Sequence, residues 1–157
     1  MRALVIVDAW ENYRSNIQIP TVNSEAHSFG GFLNEVCKLE RKQGTLIIHS
    51  YGENIPMEQI EIRPEDWILD SPKNLKKRIE KDNPNIDEIY FCGFHFGQCI
   101  PLQASTGVGD DANIILNLSS LHPLWGNRNA WKHIMKRDST FHYHLWSQNG
   151  IEEISIK

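Results

Sequence analysis

Short runs of consecutive apolar residues alternate along this sequence with longer stretches in which apolar residues recur every three or four positions. Continuous apolar runs are typical of strands buried on both faces of a parallel sheet, and the periodic stretches are typical of amphipathic helices. The runs predict strands at residues 3–8, 45–50, 67–69, 86–93, 112–118 and 140–146, and the periodic stretches predict helices that begin near residues 23, 71, 97 and 127. This order predicts an α/β fold with three α/β/α layers, a Rossmann-like architecture whose open, mostly parallel sheet has about five to six strands.

The length and the charge balance narrow the class of protein. A chain of 157 residues fits one domain, so we expect a single domain over residues 1–157. Sixteen basic residues against 20 acidic ones give a net charge of −4, which offers no basic surface for a nucleic-acid backbone. No apolar run approaches the roughly 20 residues of a membrane-spanning helix. We therefore expect a soluble, cytoplasmic protein that binds a small molecule, with no nucleic-acid or membrane partner.

The carboxyl ends of the predicted strands carry polar residues. Asp8, His49 and Asp70 end the first three strands, and the segment 93–99 follows the fourth. Because ligands bind outside the carboxyl ends of the strands in open α/β sheets, we expect these residues to converge there. Trp10, just after the first strand, is expected to line the same pocket, with core packing as its alternative role.

The sequence GFHFGQCI, residues 93–100, passes from a strand through glycines into a helix with Cys99 in its first turn. Unpaired N–H groups and the positive end of a helix dipole favour a thiolate at such a position, and the same N–H groups can stabilise an oxyanion. The residues of the turn itself are Phe94, His95, Phe96, Gly97 and Gln98. The alternative is that Cys99 is a small buried hydrophobe, as we expect for Cys37 within the first helix. Three cysteines without framework spacing predict free thiols.

Two motifs carry a resemblance to a known family. ALVIVDAWENY, which contains Asp8, and YFCGFHFGQCI, which contains Cys99, resemble those of the isochorismatase-like cysteine hydrolases, which include nicotinamidases and N-carbamoyl amidohydrolases. The order of strands and helices resembles that family over nearly the whole chain. The resemblance implies that Cys99 attacks a carbonyl carbon to form a covalent intermediate and that Asp8 is the general acid/base. It also implies an oxyanion hole of backbone N–H groups near 96–99 and a cis peptide between Phe94 and His95.

One position departs from the family pattern. The family places a lysine at the end of the strand between the two motifs, where its ammonium stabilises the thiolate, and this sequence has Asp70 there. An acid at that position raises the pKa of a nearby thiol. Lys73 reaches the site only if the strand ends later than predicted, and His95 or His49 could supply the base instead.

The sequence predicts no metal and no cofactor. The residues HSYGE after the second strand lack the Asp-x-His pattern through which nicotinamidase-like members hold a metal. His142 and His144 share one face of a predicted outer strand without a third ligand at a recognisable spacing, so we expect surface histidines. The glycine-rich stretch 107–112 follows a helix and precedes a strand, the reverse of the order in a dinucleotide site, and is predicted to be a turn.

These observations favour a cysteine hydrolase acting on a small amide or carbamoyl compound. The alternative is a catalytically silent member of the same fold that binds a small molecule or a partner, since the lysine is not in place. A flavodoxin-like nucleotide or flavin binder is a weaker third hypothesis, for which no phosphate-binding loop is present. Exposed tryptophans at positions 125 and 146 could mark a homo-oligomer interface.

Overall fold

A computed structural model describes residues 1–9, 20–52, 55–120 and 128–155 of the chain. Strands and helices alternate through most of this part. The elements are β1 (Arg2–Val7), α1 (Pro20–Lys42), β2 (Leu46–Ser50), β3 (Trp67–Leu69), α2 (Leu75–Asp82), β4 (Glu88–Gly93), α3 (Cys99–Gly107), β5 (Asn113–Ser119), α4 (Arg128–Arg137), β6 (His142–Ser147) and β7 (Gly150–Ile154).

The strands form one open sheet in the order β3-β2-β1-β4-β5-β6-β7. The first six strands in this order are parallel to their neighbours, and β7 is antiparallel to β6. The predicted α/β class and mostly parallel sheet are therefore confirmed. After β1, the strands β2 and β3 are added in turn on one side of it. The chain then returns to the other side of β1 with β4, and β5, β6 and β7 follow outward from there. The crevice between the carboxyl ends of β1 and β4 is thus the switch point at which such sheets bind ligands.

Helices cover both faces of the sheet. Residues of α1 pack with Leu4 and Ile6 of β1 on one face, whereas residues of α2, α3 and α4 pack with Val5 and Val7 on the other. This division explains the unbroken apolar run of β1, since successive side chains enter different halves of the core. Cys37 lies in the α1 half, as predicted, and burial raises the pKa of its thiol to about 12.

The carboxyl-terminal strands differ from the prediction. The segment predicted as the outer strand, β6, lies inside the sheet, because β7 pairs with it through a hairpin whose loop is Gln148 and Asn149. Asn-Gly is a strong hairpin signal, and Asn149-Gly150 is the sequence feature that predicts this turn. The described sheet consequently has seven strands, one more than the upper number expected.

The position of β6 also corrects the prediction of two surface histidines. His142 is exposed and pairs with Glu153 at 2.9 Å, as a surface residue would. His144 is buried, and its Nε2 donates to Oδ1 of Asn113 at 2.9 Å. Burial lowers the pKa of His144. Trp146 is half-buried rather than exposed and donates from Nε1 to Glu40, so its ring belongs partly to the core.

The predicted turn in the glycine-rich stretch lies at residues 108–112, between α3, which ends at Gly107, and β5. Among the described residues, no helix combines the length and the apolar character that crossing a membrane requires.

Candidate active site

Asp8 follows the last residue of β1 at the switch point of the sheet. Its backbone adopts a left-handed conformation with φ of 58°, which aspartate tolerates better than most residues, and its N–H donates to the carbonyl of Ser50 at 2.9 Å. The carboxylate is buried, with 5% of the residue exposed. A buried carboxylate requires polar partners, so the residues around Asp8 determine its orientation and its chemistry.

The turn after β4 is held against both neighbouring strands. Gly93 has φ of 116°, and a Cβ at this position would lie 2.5 Å from the carbonyl oxygen of Val7, so the position requires glycine. Phe94 donates from its N–H to the same Val7 carbonyl at 2.9 Å, and Phe96 donates to Ser120 at 3.0 Å. These contacts fix the path of the chain from β4 to α3.

The predicted cis peptide between Phe94 and His95 is wrong, because this bond is trans. The chain reverses instead through two left-handed residues, Gly93 and His95, with φ of 116° and 63°. This conformation directs the chain from the end of β4 toward the start of α3 and leaves His95 buried beside Asp8.

The structure brings together Asp8, His95 and Cys99. One ligand atom of each, the thiol sulfur of Cys99 included, lies within 4.8 Å of the corresponding atoms of the other two. His95 Nδ1 is 3.4 Å from Oδ2 of Asp8. Asp8 and His95 are buried, whereas Cys99, the first residue of α3, is partly exposed. A cysteine that is partly exposed, and that also packs against the core, thus lies beside a carboxylate and an imidazole.

Gln103 and Ser50 also hold Asp8 in place, and neither residue was predicted from the sequence. Gln103 lies one helical turn after Cys99 and donates from Nε2 to Oδ1 of Asp8 at 3.2 Å. Ser50, the last residue of β2, donates from Oγ to Oε1 of Gln103 at 2.5 Å. Residues four positions apart share one helix face, so the spacing from Cys99 to Gln103 was a usable signal.

Two residues predicted near the thiol remain on the surface. Asp70 and Lys73 are exposed in the segment between β3 and α2, where Lys73 donates from its N–H to Oγ of Ser71. Strand β3 ends at Leu69, and Lys73 lies in the connection that leads to α2 at Leu75, where its side chain is exposed.

His49 is buried on the other face of the sheet. In the strand register it lies opposite Ile6, a residue of the α1 half of the core, whereas Ser50 lies opposite Val7. Its Nε2 donates to Oδ2 of Asp66 at 2.8 Å. His49 therefore lines a separate small pocket, beside Met57 and Ile60.

Part of the predicted oxyanion hole is engaged within the turn. The N–H of Phe96 donates to Ser120, and the N–H of Gln98 donates to the carbonyl of His95 at 3.0 Å. Gly97 accepts a hydrogen bond at its carbonyl from Arg137 Nη2 at 2.7 Å, which fixes that peptide from the α4 side. Trp10, predicted to line the pocket, and Trp125 lie outside the described residues.

Comparison with known proteins gives no match by sequence but several matches by fold. No protein-family model matches the sequence, and no curated protein matches it either. Solved structures do match. The pyrazinamidase of Pyrococcus horikoshii in complex with zinc shares 11% identity with this chain at a TM-score of 0.63, over 92% of this chain and 99% of its own. The N-carbamoylsarcosine amidase of Thermoplasma acidophilum shares 15% identity at a TM-score of 0.63, over 91% and 95% of the two chains.

An isochorismatase-like hydrolase from Alkaliphilus metalliredigens gives a TM-score of 0.64 with 9% identity, over 94% of this chain and 95% of its own. This chain has the isochorismatase-like fold. The resemblance found in the two sequence motifs is therefore confirmed at the level of architecture, over nearly the whole length of the chain. At these identities the likeness concerns the fold, and the chemistry has to be argued from the residues of this chain.

Proposed function

We propose that this protein is a cysteine hydrolase that cleaves the C–N bond of a small amide or carbamoyl compound. The proposal rests on one observation: ligand atoms of Asp8, His95 and the partly exposed residue Cys99 lie within 4.8 Å of one another at the switch point of the sheet. A nucleophile and an acid/base group within reach of each other are the minimum that nucleophilic catalysis requires.

In the proposed reaction the Cys99 sulfur attacks the carbonyl carbon of the substrate, and the thiol proton passes to the Asp8–His95 pair. The C–N bond breaks, the leaving nitrogen takes that proton, and the acyl group remains on sulfur as a thioester. Water then attacks the thioester carbon and gives one proton to the pair, the C–S bond breaks, and the pair returns this proton to the sulfur as the acid is released. In this scheme the developing oxyanion lies at the amino-terminal end of α3, the positive end of the helix dipole.

His95 takes the part that a lysine plays in the family pattern. Lys73 is exposed, whereas His95 lies 3.4 Å from Asp8 and within 4.8 Å of the thiol atom. A protonated imidazole beside sulfur favours the thiolate, as histidine does in other thiol enzymes. Asp8 keeps the role of general acid/base, and Gln103 positions its carboxylate through the hydrogen bond to Oδ1.

The substrate class is taken from the fold neighbours. Two of the neighbours are a pyrazinamidase and an N-carbamoylsarcosine amidase, names that denote cleavage of C–N bonds in small molecules by those proteins. We extend that class to this chain as part of the proposal. No cofactor enters the proposed reaction.

The test measures ammonia release from primary aromatic amides, pyrazinamide and nicotinamide among them, and from N-carbamoyl amino acids. Turnover of at least one of them is expected for the unmodified protein, loss of turnover for Cys99→Ala, and a fall of about 10²- to 10⁴-fold for Asp8→Asn. The matched control is Leu102→Ala, an exposed position on the same helix, which should retain full activity. Equal turnover in Cys99→Ala and the unmodified protein would end the proposal.

A catalytically silent binding protein is the second candidate, and the exposed position of Lys73 favours it. This candidate predicts that Cys99 reacts with iodoacetamide at neutral pH no faster than a free cysteine in a short peptide. The hydrolase proposal predicts a faster reaction, because a thiolate and not a thiol is alkylated. The two rates, measured side by side, separate the candidates without knowledge of the substrate.

A further inference from the structure

We propose that Asp8, His95 and Cys99 bind a thiophilic divalent cation, Zn²⁺ in the first place, and that the bound ion blocks the thiol. The sequence predicted no metal, and the structure brings together three side chains of the types that bind zinc in proteins, a carboxylate, an imidazole and a thiol. That Zn²⁺ binds is inferred from geometry alone, whereas its inhibitory effect rests on the proposed function.

The spacing of the first two groups fits a shared metal. Zinc bonds of about 2.0 to 2.2 Å to nitrogen and oxygen place neighbouring ligands of a tetrahedral site roughly 3.3 to 3.6 Å apart. His95 Nδ1 and Asp8 Oδ2 are 3.4 Å apart, which is longer than a normal N–H···O hydrogen bond. The pair therefore already has the separation that two ligands of one zinc ion require.

The third ligand requires a small movement. With a zinc–sulfur bond of about 2.3 Å, the sulfur would lie roughly 3.5 to 3.7 Å from the other two ligand atoms. The corresponding atoms now lie within 4.8 Å of one another, so the Cys99 sulfur has to approach by little more than 1 Å. Rotation of its side chain at the partly exposed start of α3 can supply this shift.

The surroundings support the ligands as outer partners do in known zinc sites. Gln103 holds Oδ1 of Asp8 at 3.2 Å and is itself held by Ser50, so Oδ2 is the carboxylate oxygen that faces His95. Fixed orientation of a ligating carboxylate increases metal affinity. Three protein ligands leave the fourth position of the ion to water, which the partial exposure of Cys99 allows.

Binding releases one proton per ion from the pair of Cys99 and His95, since zinc binds sulfur as a thiolate and binds the imidazole in its neutral form. The sulfur lone pair that would attack a carbonyl carbon then forms the zinc bond instead. Zn²⁺ and an amide substrate should therefore exclude each other, and chelation should restore the free thiol. The cation is in this way a reversible inhibitor of the proposed hydrolase.

The experiment uses the full-length protein freed of metal by chelation. Titration calorimetry with Zn²⁺ should give one site per chain, and Co²⁺ should give the near-ultraviolet absorption band of a cobalt–thiolate bond. Cys99→Ser should lose the band, and His95→Gln should bind Zn²⁺ at least tenfold more weakly. Gln103→Leu should weaken binding by about 10- to 100-fold while the band persists, as expected for an outer partner.

The matched control is His142→Gln, which removes an exposed histidine that pairs with Glu153 at the start of β6 and should leave both signals unchanged. Circular dichroism identifies any variant that does not fold, and the remaining ligand variant then decides. Absence of saturable Zn²⁺ binding, or a cobalt–thiolate band that survives in Cys99→Ser, would overturn the inference. Amide turnover without metal binding overturns the inference alone, whereas metal binding without turnover or rapid alkylation overturns the proposed function alone.

Discussion

Gln103 donates a hydrogen bond from Nε2 to Oδ1 of Asp8, at 3.2 Å, from a position one helical turn beyond Cys99. The helix that carries the thiol therefore also orients the carboxylate beside it. Ser50 donates to the other end of the amide, Oε1, so the Nε2 end of Gln103 faces Asp8. The carboxylate, the amide and the hydroxyl come from β1, α3 and β2, so the arrangement depends on the packing of three elements.

Replacement of Gln103 by leucine should lower kcat by about tenfold and change KM little. The amide touches Asp8 and not the thiol in the proposed reaction, so its loss leaves the carboxylate present but incorrectly oriented. Steady-state kinetics with the best amide of the substrate panel measures the split between kcat and KM. Gln103→Glu places a like charge beside Asp8 and should shift the pH–rate profile to higher pH, a change that a purely structural role would not produce.

Gly93 should tolerate no side chain. A Cβ there would lie 2.5 Å from the carbonyl oxygen of Val7, and the φ of 116° is strained for any other residue. Gly93→Ala should lower the free energy of unfolding by more than about 2 kcal/mol, measured by urea denaturation. Gly31 is the matched control, because a Cβ there meets no atom within 4 Å on helix α1, and Gly31→Ala should raise stability by about 0.5 to 1 kcal/mol. Equal effects of the two substitutions would contradict this account of the turn.

The ionised carboxylate of Asp66 should stabilise the fold at neutral pH, and this stabilisation should be lost as the pH falls toward 2. Burial opposes its ionisation, but hydrogen bonds from His49, from Arg41 and from the backbone of Arg63 outweigh burial and lower the pKa of Asp66 to about 2. A carboxyl whose folded-state pKa is depressed stabilises the fold above its unfolded pKa of about 4, and this contribution is lost as the pH falls toward 2.

Asp66→Asn should therefore cost about 2 kcal/mol at pH 7 and little at pH 2, with urea denaturation at both pH values as the measurement. The control is Glu65→Gln, an exposed carboxyl next to it in sequence, which should change stability by less than about 0.5 kcal/mol at either pH. A cost for Asp66→Asn that does not depend on pH would show that the side chain acts by packing alone.

The sequence sufficed to predict the meeting of Asp8 and Cys99, because parallel strands bring their carboxyl ends to one edge of the sheet. It did not reveal the partners of Asp8, since Gln103 and Ser50 are common polar residues whose roles depend on how α3 packs against β1 and β2. The cis peptide was expected from the family resemblance. The chain instead makes this turn with a trans peptide and two residues in left-handed conformation, Gly93 and His95.

The outer strand β7 was missed for a different reason. Its residues, GIEEI, carry few apolar side chains, because an edge strand at the end of the sheet buries little of its surface. Only the Asn149-Gly150 pair marks it in the sequence, and a turn signal gains meaning only when a strand is expected on both sides.

The three cysteines should differ sharply in reactivity. Burial raises the pKa of Cys37 to about 12 and that of Cys92 well above its ordinary value, so neither thiol ionises near neutral pH. Cys99 is partly exposed beside Asp8 and His95. Iodoacetamide at pH 7 should therefore modify one cysteine in the folded protein and all three in urea, counted by intact mass. Peptide mapping should place the single label on Cys99, and early labelling of Cys37 or Cys92 would contradict the core packing described for α1 and β4.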